Sequence, residues 1–198
     1  MYKIRANTIF KTIELFMKFK LIFLAIIAFT IVACNSEVKG KNGVVYKNAE
    51  QYNDYIIKRQ TNIINAIMDI VKAADIDVDS AEMILNNAVR EIDEALNKIE
   101  GMPAYKGDSA LRDAAISLFR FYKDVFGNDY KQLLDIRRKG ENMTAEGGTE
   151  MQEIVDRMSK KEEKYDRDFR KAQLEFAKNN NLKLTENEMQ KKIDEVNN

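Results

Sequence analysis

Residues 149–179 read TEMQEIVDRMSKKEEKYDRDFRKAQLEFAKN, and this stretch decides the fold. Met151, Val155, Met158, Glu162, Tyr165, Phe169, Ala172 and Phe176 follow one another at alternating intervals of four and three residues. That alternation keeps them on one side of an α-helix, and its persistence over so many turns marks a seam buried against other helices. Glu162 is the polar position in the seam. One acid among apolar neighbours is better explained as a register-setting or edge-exposed residue than as a catalytic group. Gly147-Gly148 predicts a loop before this helix, Thr149 its opening, and Asn179-Asn180-Asn181 its end.

Working outward, the same pattern recurs upstream. Asn48 and Gln51 have the spacing of a capping box, and Tyr52, Tyr55, Ile56, Ile63, Ile64, Ile67 and Val71 form the inner face of a helix running to about Ala74. The acidic connection DIDVDS, from Asp75, leads to a second helix capped by Asp79 or Ser80. Its inner face carries Ile84, Leu85, Ala88, Val89, Ile92, Leu96 and Ile99, and Gly101 with Pro103 stops it. A third helix, capped by Asp108 or Ser109, carries Leu111, Ala115, Leu118, Phe119, Phe121, Tyr122, Val125 and Phe126, a stripe broad enough to touch two neighbours. Gly127-Asn128 should break or kink it. Tyr130, Leu133, Leu134 and Ile136 continue as a shorter segment to Gly140. With one proline and eight glycines in 198 residues, there is little material for β-turns. The expected fold is all-α, an antiparallel up-down four-helix bundle over residues 47–184, followed by a short amphipathic C-terminal helix over 185–198 with Met189, Ile193 and Val196 as a weak stripe.

The N-terminal segment has a different character. Lys3, Arg5, Lys11, Lys18 and Lys20 precede the apolar string LIFLAIIAFTIVA, Leu21 to Ala33. A membrane-spanning helix needs about 20 apolar residues, so this shorter string fits the core of a secretory signal. It ends in Ile31-Val32-Ala33-Cys34, which resembles the lipobox of bacterial lipoproteins: branched residues, a small residue and a cysteine that takes a diacylglycerol group as the peptide before it is cut. Residues 1–33 are therefore expected to be a signal peptide, with Met17 an alternative start, and Cys34 a lipidation site. An uncleaved anchor with Cys34 as a free thiol is the competing reading. As the chain's lone cysteine, Cys34 makes no disulfide within the chain. Two or three acyl chains would hold the protein to a membrane, where one would not. Residues 34–46, polar and glycine-bearing, read as a flexible lipidated tether.

Two further strings, GDSALRDAAISLFRFYKDVFGNDYKQLLDI and KEEKYDRDFRKAQLEFAKNNNLKL, resemble a family of surface lipoproteins known from spirochaetes and Bacteroidetes-type bacteria. The likeness spans about Tyr46 to Leu184 and rests on packing patterns. It implies a helical domain on an anchored, surface-exposed chain; the family has no assigned activity, so no functional residue carries over.

Chemistry is bounded chiefly by the absence of histidine from the sequence. That removes Ser-His and Cys-His pairs, His-bearing zinc sites and the usual general base near neutral pH. Gly147-Gly148 lacks the preceding strand of a phosphate-binding loop. Asp75, Asp77 and Asp79 alternate as the first ligands of a calcium loop do, but Ser80 stands where that loop needs glycine and Asn86 where it needs glutamate. They read more simply as an acidic connection. Phe119, Phe121, Tyr122, Phe126 and Tyr130 read as core rather than as a ligand pocket, and Arg137-Arg138-Lys139 as a solvated helix end. From Cys34 onward, 27 basic residues stand against 31 acids, a charge of −4. Such a chain, with no basic face evident, argues against nucleic acid and against electrostatic attraction to anionic lipid.

The expectation is thus a non-enzymatic binding or structural module of the cell envelope, needing no cofactor. It would be joined to the membrane through Cys34 and to a protein partner in the envelope, and placed on the outer membrane, since Asn35 is not the aspartate of inner-membrane retention, with the family likeness leaning towards the outside. Two alternatives stand beside it. One is a carboxylate-dependent hydrolase or divalent-metal protein using Asp75, Asp77 and Asp79. The other is an envelope adaptor that pairs through its long fourth helix.

Overall fold

Asn48 begins the helical part by the expected chemistry: its side chain accepts a hydrogen bond from the Gln51 amide at 2.8 Å, and the Gln51 side chain reaches back to the amide of Lys47 at 3.1 Å. The reciprocal bond thus falls one residue earlier than in a standard capping box. The computed structural model describes residues 37–142 and 144–182, of which about 81% are helical. Cys34, the signal segment and the 185–198 tail lie outside the described residues. Helix α1 spans Ala49–Ile76, α2 Val78–Glu100, α3 Ala110–Asp124, α4 Tyr130–Arg137 and α5 Ala145–Asn179. The fold is all-α, and no described helix is long and apolar enough to cross a membrane.

Contacts between distant residues give the directions of the helices. The hydroxyl of Tyr52, early in α1, donates to the Pro103 carbonyl after α2, so α1 and α2 run oppositely. Arg112 in α3 donates to the Met102 carbonyl, while Arg137 at the end of α4 donates to the Ala74 carbonyl at the end of α1. The α3–α4 segment therefore returns along α2. Helix α5 runs back again, pairing Gln132 with Glu150 at one end and packing Phe176 against Tyr52 and Tyr105 at the other. The predicted stripes point inward: Ile56, Ile63, Ile64, Leu85, Ile92, Ile99, Leu118, Phe119, Met151, Met158 and Phe169 are all buried. Each such side chain contributes about 1.5–3 kcal/mol by leaving water.

Four expectations need correction. Residues 38–46 are not a coil, because Val38–Lys39 pairs antiparallel with Val45–Tyr46 and the hairpin docks on the helices. Asn42 fixes it there: its side chain donates to the Tyr46 hydroxyl and the Lys98 carbonyl, and its amide donates to the Gly101 carbonyl. A side chain at Gly101 would stand 2.9 Å from the Asn42 backbone, so this glycine provides room for the hairpin as well as ending α2. Second, the connection between α1 and α2 is a single residue, Asp77, which ends one helix and caps the next by accepting from the amides of Asp79 and Ser80. The cap is therefore neither Asp79 nor Ser80.

Third, regular α-helix is interrupted around Gly127-Asn128 and a shorter segment follows, as expected, but the interruption is not a break. The chain continues through a π-helical turn, Val125–Asp129, in which the Tyr130 amide donates to the Val125 carbonyl. The wider turn absorbs one extra residue and keeps Val125, Phe126, Asp129 and Tyr130 all facing the interior. Fourth, α5 begins at Ala145 rather than Thr149. Thr144 caps it by accepting from the Gly147 amide, and Gly147-Gly148 forms part of the first turn instead of a loop.

Candidate functional site

The seam of α5 is more polar inside than its spacing suggests. Besides Glu162, both Asp166 and Gln173 are buried on it, and α1 contributes the buried amides Asn53 and Gln60. Gln173 donates to Asn53 at 2.9 Å, which sets the register of these two antiparallel helices. Seven residues along each helix lie Gln60 and Asp166, two turns further on, so they come to the same level. Tyr122 of α3 closes this layer, accepting a long bond of 3.4 Å from the Gln60 amide. Phe119, Phe121, Tyr122, Phe126 and Tyr130 are all buried, as expected of core, yet the two tyrosines also carry hydroxyls into this polar interior.

Burial governs the electrostatics. The Glu162 carboxyl is pushed up to about 8, first by loss of water and then by the neighbouring Asp166. Asp166 is pushed up to about 6 by burial, against the pull of Arg170, whose guanidinium lies 3.3 Å away. Tyr122 is raised by burial and by the charge of Glu162, and Tyr130 likewise. Among the described residues, Gln60 Oε1, Gln173 Oε1 and Asp166 Oδ1 are buried without a hydrogen-bond partner. All three are acceptors. A carboxyl that keeps its proton becomes a donor, so the protonated form suits a cluster rich in acceptors.

Room for a substrate is another matter. The cavity beside Tyr130, also lined by Ile70, Leu133, Leu134 and Met151, encloses about 20 Å³, enough for about one water. The two acids sit one turn apart on a single helix rather than across a cleft, which is not the arrangement glycosidase chemistry needs. Asp75, Asp77 and Asp79, the metal candidates, are not brought together either. Asp75 pairs with Arg137 at 2.6 Å, Asp79 with Arg138 at 2.9 Å, and Asp77 is engaged as a cap. Arg138 also holds Glu82 and Asp135. The acidic connection and the basic Arg137-Arg138 pair, read separately in the sequence, are the two halves of one clasp at this end of the molecule. Among the described residues no group of three potential metal ligands converges.

The surface corrects one more expectation. Between Arg157 and Lys171, α5 carries seven basic residues and four acids, but two of those acids, Glu162 and Asp166, are buried. Folding thus sorts the charges and leaves a basic face on the part of the chain from Cys34 onward, whose overall charge is −4. Ser117, Arg120, Phe121 and Asp124 of α3, with Lys160, Lys161, Lys164 and Tyr165 of α5, enclose a groove of about 570 Å³ on that side. The seam proposed for an adaptor is largely committed inside; Leu174 is the large apolar residue of α5 left exposed.

No family model, curated protein or solved structure matches the chain.

Proposed function

We propose that the protein is a bacterial lipoprotein, anchored through acyl chains on Cys34 and carrying a non-enzymatic, up-down four-helix bundle that serves as a binding or structural module of the cell envelope, on the outer membrane. The observation behind this reading is the sequence from Leu21 to Cys34: an apolar string of signal-peptide length after a basic stretch, ending in a small residue and the chain's one cysteine. The lack of histidine, and the placement of the two buried acids one turn apart on a single helix, weigh against catalysis. The hairpin at residues 38–46 supports a particular geometry. It leaves only Cys34 to Glu37 between the anchor and the folded domain, so the aromatic end of the helices would sit close to the membrane.

Mass spectrometry of the polypeptide purified from its native membrane tests the anchor. The expected N-terminal residue is Cys34, with a mass increment of two or three acyl chains. A native chain that begins upstream of Cys34, or that carries an unmodified cysteine, would refute the proposal. Protease treatment of intact cells then decides the membrane face: loss of the helical domain from whole cells places it outside.

A further inference from the structure

The groove between α3 and α5 differs from its surroundings in charge. Four cations line it, Arg120, Lys160, Lys161 and Lys164, against the single carboxylate of Asp124. Arg120 is held by Glu100 at 2.8 Å, and Lys161 reaches Asp124 at 3.5 Å. Asp124 is itself engaged by Asn128 at 2.9 Å. Among the described residues, neither Lys160 nor Lys164 meets a carboxylate, and both are exposed. Lys164 instead lies 5.3 Å from the ring of Tyr165, which stacks on Phe121 at 5.0 Å and gives the groove a stiff aromatic floor. The acids four residues from these lysines along α5 are engaged elsewhere, Asp156 by the Gln152 amide at 2.7 Å and Asp168 by Arg167 at 3.9 Å.

A second groove, between α1 and α2, provides an internal comparison. It is of similar size, about 490 Å³, and its cations Lys58, Arg59 and Lys98 share the lining with the acids Glu91 and Glu94. Arg59 is already spent, lying 3.4 Å over the ring of Tyr55. Concave surface is common to the two grooves, but the excess of cations over acids is larger in the one between α3 and α5, four to one against three to two.

We propose that the α3–α5 groove is a binding site for a phosphate-bearing ligand, with Lys160 and Lys164 as its principal contacts and Arg120 and Lys161 at its flanks. An open, polar groove gives an apolar molecule little to bury. Convergent ammonium groups instead favour a compact, multiply charged oxyanion, for which lysine acts as a point charge. A soluble phosphate compound and a phospholipid headgroup share this chemistry. The site stands independently of acylation at Cys34.

Calorimetry on the full chain in a neutral detergent, at about 50 mM salt so that screening is weak, tests it with two probes, inorganic pyrophosphate and dihexanoylphosphatidylglycerol. Saturable binding of pyrophosphate identifies a soluble source, and binding about tenfold tighter for the lipid identifies a headgroup; either supports the site. The Lys160→Ala/Lys164→Ala double variant is expected to weaken binding by about tenfold or more, while Lys58→Ala in the α1–α2 groove leaves it unchanged. Circular dichroism of both variants verifies that the helices persist. Absence of binding by either probe up to about 5 mM, or binding that the double variant does not weaken, would overturn the proposal.

Discussion

The aromatic end of the molecule and its polar middle are assembled from the same helices by opposite means. At the end, Tyr46, Tyr52, Tyr105 and Phe176 meet ring to ring at 5.1 to 5.5 Å, and the hydroxyls of Tyr46 and Tyr52 are engaged by Asn42 and by the Pro103 carbonyl. In the middle, Gln60, Asp166 and Gln173 each bury an oxygen without a partner, and two carboxyls share one helix face. The first arrangement gains stability from packed area with its polar atoms satisfied. The second costs stability, since a buried polar atom without a hydrogen bond forfeits about 1–3 kcal/mol. One seam on α5 thus passes from a stabilising layer to a layer that titrates.

The largest effect should come from breaking the aromatic end. Phe176→Ala removes the ring shared by Tyr52 and Tyr105 and is expected to lower stability by about 3–5 kcal/mol, read from thermal or urea unfolding of the full chain in detergent. A loss below about 1 kcal/mol would mean that the rings do not form a continuous layer.

The polar middle should respond to pH. The folded Glu162 carboxyl titrates near 8, above its ordinary 4.5, so the folded state holds a proton that the unfolded chain releases between those values. Stability from this group is therefore fully present below about pH 4.5 and is lost as pH rises through about 8. Asp166 adds a loss of the same sign, centred lower, towards about 6. Glu162→Gln keeps the shape and abolishes this titration. Its stability relative to the native chain should improve by about 2–4 kcal/mol between pH 5 and pH 8, as measured by urea unfolding at the two values. An unchanged difference would show that Glu162 is ionised and solvated in the fold.

The boundary between the two regions should be the least sensitive. Asn53 and Gln173 satisfy each other only in part, so replacing both with leucine exchanges two hydrogen bonds, Gln173 to Asn53 and Asn53 to the exposed Asp54, and an orphaned oxygen for apolar contact. The double variant should stay within about 1 kcal/mol of the native stability, whereas Gln173→Leu alone, which strands Asn53, should be the less stable of the two. Unfolding curves for the single and double variants measure this directly.

How much of this was readable beforehand depended on whether neighbours in sequence or neighbours in space carried the signal. The seam from Met151 to Phe176 and the stripe from Tyr52 to Ile67 were legible because helical periodicity is a local property, set by 3.6 residues per turn. Asp166 and Gln173 were missed for the same reason: each lies one position from a seam residue, Tyr165 or Ala172, and only packing decides which of two adjacent positions faces in. Thr144 capped α5 in place of Thr149 because glycine costs a helix only about 1 kcal/mol, which docking against the core can offset. The hairpin at Val38 was hidden because two-residue strands leave almost no pattern, and what holds them is Asn42 bonding to Lys98 and Gly101, far along the chain.

The sequence by itself determined the all-α class, the faces of the long helices and the limits on chemistry that follow from having no histidine. Tertiary structure alone decided that Asp75 and Asp79 would meet Arg137 and Arg138, that Glu162 and Asp166 would lose their water, and that Lys160 and Lys164 would line a groove without a carboxylate of their own. The reason is the range of the forces. Periodic burial is written in residues a turn apart, whereas the state of a charge depends on every group within several ångströms, whichever helix brings it there.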